Sequence, residues 1–275
     1  MRFSGKRAVV TGGASGIGRA TALQLAREGA FVVVGDVDEA AGRQLAAESS
    51  GCIAFRRTDV TQADDIEAVM RITHESGGLD IVFNNAGAGG AREPIDEISA
   101  DDWDRTMALL LRSVALGIRF AAPLIAARGG GSIVNTSSVS ALGTGYAPTA
   151  YSTAKAGVLH LTKMAAANLA KSNIRVNAVV PGFITTSIFT RHLDIPDDRR
   201  KMADTMIAGA AAKAQPIPRA GRAEDIAAAV TFLASEEASF ITGTHILVDG
   251  GLTIGTRASW DPNEPSMLTA LDAFK

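Results

Sequence analysis

The sequence predicts an α/β protein: one doubly wound domain around a seven-stranded parallel sheet with helices on both faces. Three observations carry that expectation. Short apolar runs alternate with helical periodicity along the chain, the connections between them are brief, and runs such as FVVVG and IRVNAVV are continuously apolar, as strands covered on both faces must be. At 275 residues the chain can bury one substantial core. A single domain over 1–251 is expected, followed by an extension over 252–275.

The strands are expected at 7–11, 31–35, 52–56, 79–83, 131–136, 174–180 and 245–248, and the helices at 17–28, 38–48, 62–76, 100–127, 150–171 and 223–234. A net charge of −2 leaves no basic field for nucleic acid. The single Cys52 falls in the apolar run CIAF and is expected to be a buried structural thiol. Histidines 74, 160, 192 and 245 show no ligand spacing, so no catalytic metal is expected. The most apolar helix, Met107 to Ala127, carries Arg112, Arg119 and Pro123 and is expected in the core rather than across a membrane. The N-terminus enters the first strand with no charged-then-apolar leader, which predicts a cytoplasmic protein.

Residues 6–18, KRAVVTGGASGIG, run from a β-branched strand through glycines into a helix. Backbone N–H groups and the helix dipole can meet a pyrophosphate there, which makes Gly12, Ser15, Gly16, Ile17 and Gly18 candidates for binding a dinucleotide. Asp36 follows the second strand, where a carboxylate can accept from ribose hydroxyls and repel a 2′-phosphate; it could instead cap the helix that starts near Asp38.

Tyr151 and Lys155, four residues apart on a helix, lie on one face about a turn apart. A positive charge near a phenol favours phenolate, so the pair can make a base. Ser138, thirteen residues before Tyr151, would complete a constellation that holds a carbonyl or alcohol oxygen, with Ser137 as the competing serine. A dinucleotide site and a tyrosine base on one chain point to hydride transfer.

Together, the Thr-Gly-x-x-x-Gly-x-Gly loop, the NNAG run at 84–87 and the Ser, Tyr-x-x-x-Lys constellation resemble the classical short-chain dehydrogenase/reductase family, from about Lys6 to Gly251. The resemblance implies a Rossmann-type fold. It implies that Asp59 and Val60 contact adenine, that Asn85, Ala86 and Gly87 lie beside the ribose, and that Tyr151 and Lys155 also touch the cofactor. Asn84 could simply bind neighbouring backbone. Pro181 and Gly182 would form a turn beside the nicotinamide, and Ile184 and Thr186 would meet its carboxamide. No basic residue stands at 13–16 or 37, where relatives that prefer NADP often carry one, so NAD is expected.

Ser140, Tyr146, Phe183, Met202 and Met206 are candidate walls of the substrate pocket. Residues 187–218, with Ile188, Phe189, Leu193, Met202 and Met206, read either as an apolar lid or as a surface helix packed by its apolar stripe. Where the family carries an asparagine credited with a water relay to the lysine, this chain has Leu110, which can neither donate nor accept. The last helix and strand resemble a subunit contact, so a homo-oligomer, dimer or tetramer, is expected. In the tail, Met267, Leu268, Leu271 and Phe274 would dock on their own subunit or a neighbour's. The expected activity is NAD-dependent interconversion of an apolar or cyclic secondary alcohol and its ketone. A 3-oxoacyl-thioester reductase and a nucleotide-binding regulatory or scaffold protein are the alternatives.

Overall fold

The computed structural model describes residues 1–186 and 195–274. Ile188, Phe189 and Leu193 of the expected lid, and His192, lie outside the described residues. Seven parallel strands, β1 (Arg7–Thr11), β2 (Phe31–Asp36), β3 (Ile53–Arg57), β4 (Ile81–Asn84), β5 (Gly131–Thr136), β6 (Ile174–Pro181) and β7 (His245–Val248), stand in the order β3-β2-β1-β4-β5-β6-β7. The order reverses between β1 and β4, and the crevice outside their carboxyl ends is where such a sheet takes a ligand.

The helices are α1 (Gly16–Arg27), α2 (Glu39–Glu48), α3 (Ala63–Glu75), α4 (Ala100–Met107), α5 (Ser113–Ala126), α6 (Thr149–Leu169), α7 (Asp197–Ala214), α8 (Ala223–Ala234) and α9 (Met267–Ala270). Alternate strand residues feed two cores. Val32, Val34 and Val10 pack with Leu25 of α1, Leu45 of α2 and Ile226 and Leu233 of α8. Val9, Val33 and Val82 pack on the other face with Met70 of α3, Ile125 of α5 and Val158 of α6. The period of two along each strand therefore sorts the side chains between the two helical layers.

Three expectations are corrected. Cys52 is exposed and precedes β3, which begins at Ile53, because Cys52 still belongs to the turn that Gly51 makes at φ +83°. β4 begins at Ile81 rather than 79, after a turn through Gly77 and Gly78 at φ +133° and +116°, and the Asp80 carboxylate accepts from the Arg7 N–H at 2.8 Å. The expected helix over 100–127 is interrupted by a π-helical turn at Ala108–Arg112, where the Ser113 N–H reaches the Ala108 carbonyl. Ser113 Oγ also donates to the Leu109 carbonyl at 2.5 Å, and a hydroxyl bonding back one turn bends a helix locally. Single π turns of this kind often sit at functional sites. The stretch from Ala100 to Ala126 is long and apolar enough to cross a membrane, but in this fold it packs Val114, Ile118 and Ile125 into the core beside α3.

Candidate active site

The glycine loop leaves β1 at Thr11 and enters α1 at Gly16. Gly12 has φ +62°, and a Cβ there would lie 2.7 Å from the Ala86 Cα, so only glycine lets β1 and β4 close this edge. A Cβ on Gly18 would overlap the Gly12 carbonyl oxygen. The loop is thus packed against the end of β4 and against Thr186, whose Cγ2 is 3.2 Å from where a Gly16 Cβ would stand. This bare backbone cradle in front of a helix N-terminus fits a pyrophosphate.

Asp36 is buried and its two oxygens hold backbone: Oδ2 accepts from the Ala14 N–H at 3.0 Å and Oδ1 from the Asp38 N–H at 3.0 Å. The cap of α2 is Asp38 itself, accepting from Ala41. Asp36 therefore fixes the glycine loop to the turn after β2, and its remaining lone pairs can face a ribose. Asp59 is turned toward Thr61, whose N–H and hydroxyl donate to it at 2.9 and 2.7 Å, and Val60 is buried in the core.

Asn84 and Asn85 have separate jobs. Asn84 donates to the Asn135 side chain at 2.9 Å and Asn135 to Thr162 at 3.0 Å, so Asn84 joins a buried side-chain ladder between β4, β5 and α6 rather than neighbouring backbone. Asn85 donates through Nδ2 to the carbonyls of Thr11 and Gly12 at 3.1 and 3.2 Å. The Thr11 hydroxyl in turn accepts from the N–H groups of Asn85 and Ala86. Thr11, Asn135 and Thr162 were not singled out in the sequence, although a polar residue inside an apolar strand was the available signal for Asn135.

β5 ends at Thr136 and delivers two serines with different partners. Ser137 is buried and its hydroxyl donates to the Lys155 carbonyl at 2.8 Å. Ser138, half-buried, accepts from the Ser140 N–H at 3.2 Å and stands on the side of the Tyr151 hydroxyl, where it favours the phenolate. The Ser140 hydroxyl is buried with no partner among the described residues, and Tyr146 packs its ring 3.4 Å from where a Gly143 Cβ would stand. Lys155 is 3 % exposed, and its Nζ donates to the Thr136 carbonyl at 2.9 Å and lies 5.6 Å from the centroid of the Tyr151 ring.

The expected lowering of the Tyr151 pKa by Lys155 is not what this geometry gives. Burial raises the phenol, with Ser138 pulling the other way, and burial lowers Lys155 to about 8. Loss of water outweighs a charge held on the face of the ring. Leu110 contributes to that dryness. It is fully buried in the π turn, its Cδ2 3.1 Å and Lys155 Nζ 4.0 Å from the point where a Gly87 Cβ would sit.

Beyond β6, Gly182 packs on Asp249 and donates to the Val248 carbonyl at 3.0 Å. Phe183 is half-buried; the Ile184 side chain is in the core, while among the described residues its own N–H and carbonyl make no backbone hydrogen bond. Met202 and Met206 are 66 % and 70 % exposed on α7, and Met267, Leu268, Leu271 and Phe274 are exposed at the tail rather than docked on their own chain.

The family model described as enoyl-(acyl carrier protein) reductase matches residues 12–253. The cis-4-hydroxycyclohexanecarboxylate dehydrogenase of Sinomonas cyclohexanicum is 43 % identical over 91 % of this chain and 98 % of its own. The cyclohexanol dehydrogenase of Acinetobacter sp. (strain SE19) is 36 % identical over 92 % of this chain and 96 % of its own. The crystal structure of levodione reductase superposes with a TM-score of 0.83 at 32 % identity, covering 93 % of this chain and all of that one. The chain belongs to the classical short-chain dehydrogenase/reductase family, whose members are oxidoreductases that use a nicotinamide cofactor.

Proposed function

We propose that this protein is an NAD(H)-dependent dehydrogenase of cyclic secondary alcohols. The observation that carries this reading is the dry contact of Ser138, Tyr151 and Lys155 at the carboxyl edge of β5, opposite the glycine cradle of β1. The relatives named for cyclohexanol and for a hydroxycyclohexanecarboxylate supply the substrate class. Gly12, Ser15, Gly16, Ile17, Gly18 and Asp36 would hold the adenosine and pyrophosphate, Asp59 and Val60 the adenine, and Asn85, Ala86 and Gly87 the ribose side. Pro181, Gly182, Ile184 and Thr186 would hold the carboxamide end, Ile184 through its backbone.

The bound nicotinamide supplies the hydride acceptor or donor. The rest belongs to the chain: Tyr151 takes the hydroxyl proton in oxidation or gives it to the carbonyl oxygen in reduction, Ser138 donates to the same oxygen, and Lys155 holds ribose and faces the phenol. A phenol raised by burial is protonated at neutral pH, which suits reduction, and oxidation should quicken as the medium becomes alkaline. Ser140, Tyr146 and Phe183 would line the substrate side, with Met202 and Met206 of α7 closing over it. Residues 1–251 form the catalytic unit, and the exposed apolar tail over 252–275 meets a second subunit of a cytoplasmic homo-oligomer, a dimer or tetramer. A 3-oxoacyl-thioester reductase is the second reading, favoured by the description of the matching family model.

A turnover panel separates them: cyclohexanols with NAD and with NADP, and a 3-oxoacyl thioester with NADH and NADPH. Oxidation of the cyclohexanols with clear preference for NAD is expected. Turnover of the thioester alone, or equal use of the two cofactors, overturns the reading.

A further inference from the structure

Asp36 has a neighbour that the pattern of the glycine loop does not reveal. β3 runs beside β2 in parallel register, with Val34 opposite Phe55 and Asp36 opposite Arg57. Residues paired in this way project to the same face, and residues two apart on a strand share it. Val34 and Phe55 both pack into the core under α1 and α2, and Phe55 lies directly against Gly42 of α2. Asp36 and Arg57 are the next pair outward on that face, at the carboxyl edge of the sheet. Arg57 is exposed, and among the described residues its side chain makes no hydrogen bond or ion pair.

The acids around it are already occupied. Asp36 is held by the N–H groups of Ala14 and Asp38, and Glu39 is paired with Arg43. A guanidinium in solvent, one strand away from the carboxylate that selects the ribose, is free to meet an anion on that ribose. Its planar fork of donors matches phosphate oxygens.

We propose that Arg57 is a specificity-determining residue for the adenosine end of the cofactor: it gives a 2′-phosphate a partner beside Asp36, so the chain binds the 2′-phosphorylated dinucleotide measurably, though more weakly than NAD. This rests on the reading of the carboxyl edge of β1 and β2 as a dinucleotide site. Asp36 sets the sign of the preference and Arg57 limits its size.

Calorimetric titration with 5′-AMP and with 2′,5′-ADP tests this without turnover, on the wild type, Arg57→Gln and Arg57→Lys, each first checked for an unchanged thermal midpoint. The wild type should bind both, 5′-AMP more tightly. Arg57→Gln should lower affinity for 2′,5′-ADP by about tenfold and leave 5′-AMP unchanged, as expected for loss of one charge-assisted contact. Arg57→Lys should restore most of the loss, and the difference should shrink in high salt. Equal weakening of both ligands by Arg57→Gln, no weakening of either, or binding of 5′-AMP without any binding of 2′,5′-ADP overturns the role of Arg57 alone. Failure of the wild type to bind either ligand overturns the dinucleotide site and Arg57 with it.

Discussion

The two edges of the sheet treat charge in opposite ways. At the amino edge a cleft of about 220 Å³ is lined by Lys6, Asp80, Arg128 and Arg175, and charge there meets charge or a helix end. Asp80 is buried between Arg128 at 3.4 Å and Lys6 at 4.0 Å, and Arg175 donates to the Leu233 and Ser235 carbonyls that end α8. Cations at helix C-termini answer the negative end of the dipole, so this edge is satisfied within the fold. At the carboxyl edge the buried charges Asp36 and Lys155 hydrogen-bond only backbone groups, Asp249 takes backbone N–H groups and the Thr253 hydroxyl, and none of the three has a counter-ion among the described residues. An edge whose charges are paired maintains the fold, whereas an edge whose charges lack partners is prepared for a ligand and for moving a proton.

The sharpest break of that contrast is Tyr151→Phe. It removes the hydroxyl and leaves the ring, so kcat should fall by about a thousandfold or more while NAD affinity measured by fluorescence titration stays within about twofold. Near-normal kcat would return the carboxyl edge to the same status as the amino edge.

Lys155→Met should weaken both kcat and cofactor affinity, and it also carries a stability signature. The folded pKa of Lys155 is lowered from 10.5 to about 8, so between those values the unfolded chain binds more protons and stability rises with pH. Below about 8 the penalty of the buried charge is fully present. Tyr151, raised by burial, acts in the opposite sense above its ordinary value of 10.0, so the window to examine runs from 8 to 10. Urea unfolding across that window should show a rise in the wild type that Lys155→Met lacks; parallel curves would refute the desolvated ammonium.

Asp80→Asn inverts the pattern. It leaves Lys6 and Arg128 without their shared anion, so stability should fall by about 1–3 kcal/mol, with kcat and KM unchanged at a temperature where the variant is folded. A selective loss of kcat would show that the two edges are coupled.

The smallest expected effect is at Leu110. Asparagine there would bring a polar group beside Lys155 in a fully buried position, so kcat should change within about tenfold and the thermal midpoint should drop. A gain above about a hundredfold with an unchanged midpoint would mean that the wild-type lysine is starved of a proton route.

Much of this was legible in the residues. The alternation of apolar runs determined the parallel sheet and its two helical layers, because a strand covered on both faces has no polar side to display. The spacing of glycines determined the cradle, since Gly12 and Gly18 stand where any side chain would collide with backbone. The four-residue step from Tyr151 to Lys155 determined that they share a helix face.

Tertiary structure decided what those residues experience. Ser137 and Ser138 are adjacent and chemically identical, and only the packing of α6 against β5 turns one to the Lys155 carbonyl and leaves the other on the side of Tyr151. The helix over 100–127 reads as continuous in its periodicity, but the extra residue in the π turn depends on which carbonyls Ser113 reaches. The direction of the Tyr151 pKa was misjudged from the charge of Lys155 because desolvation is a property of everything that surrounds a group, and sequence spacing carries only the nearest neighbour on the helix. Arg57 became a neighbour of Asp36 through strand register, a relation between residues far apart in the chain that no local pattern encodes.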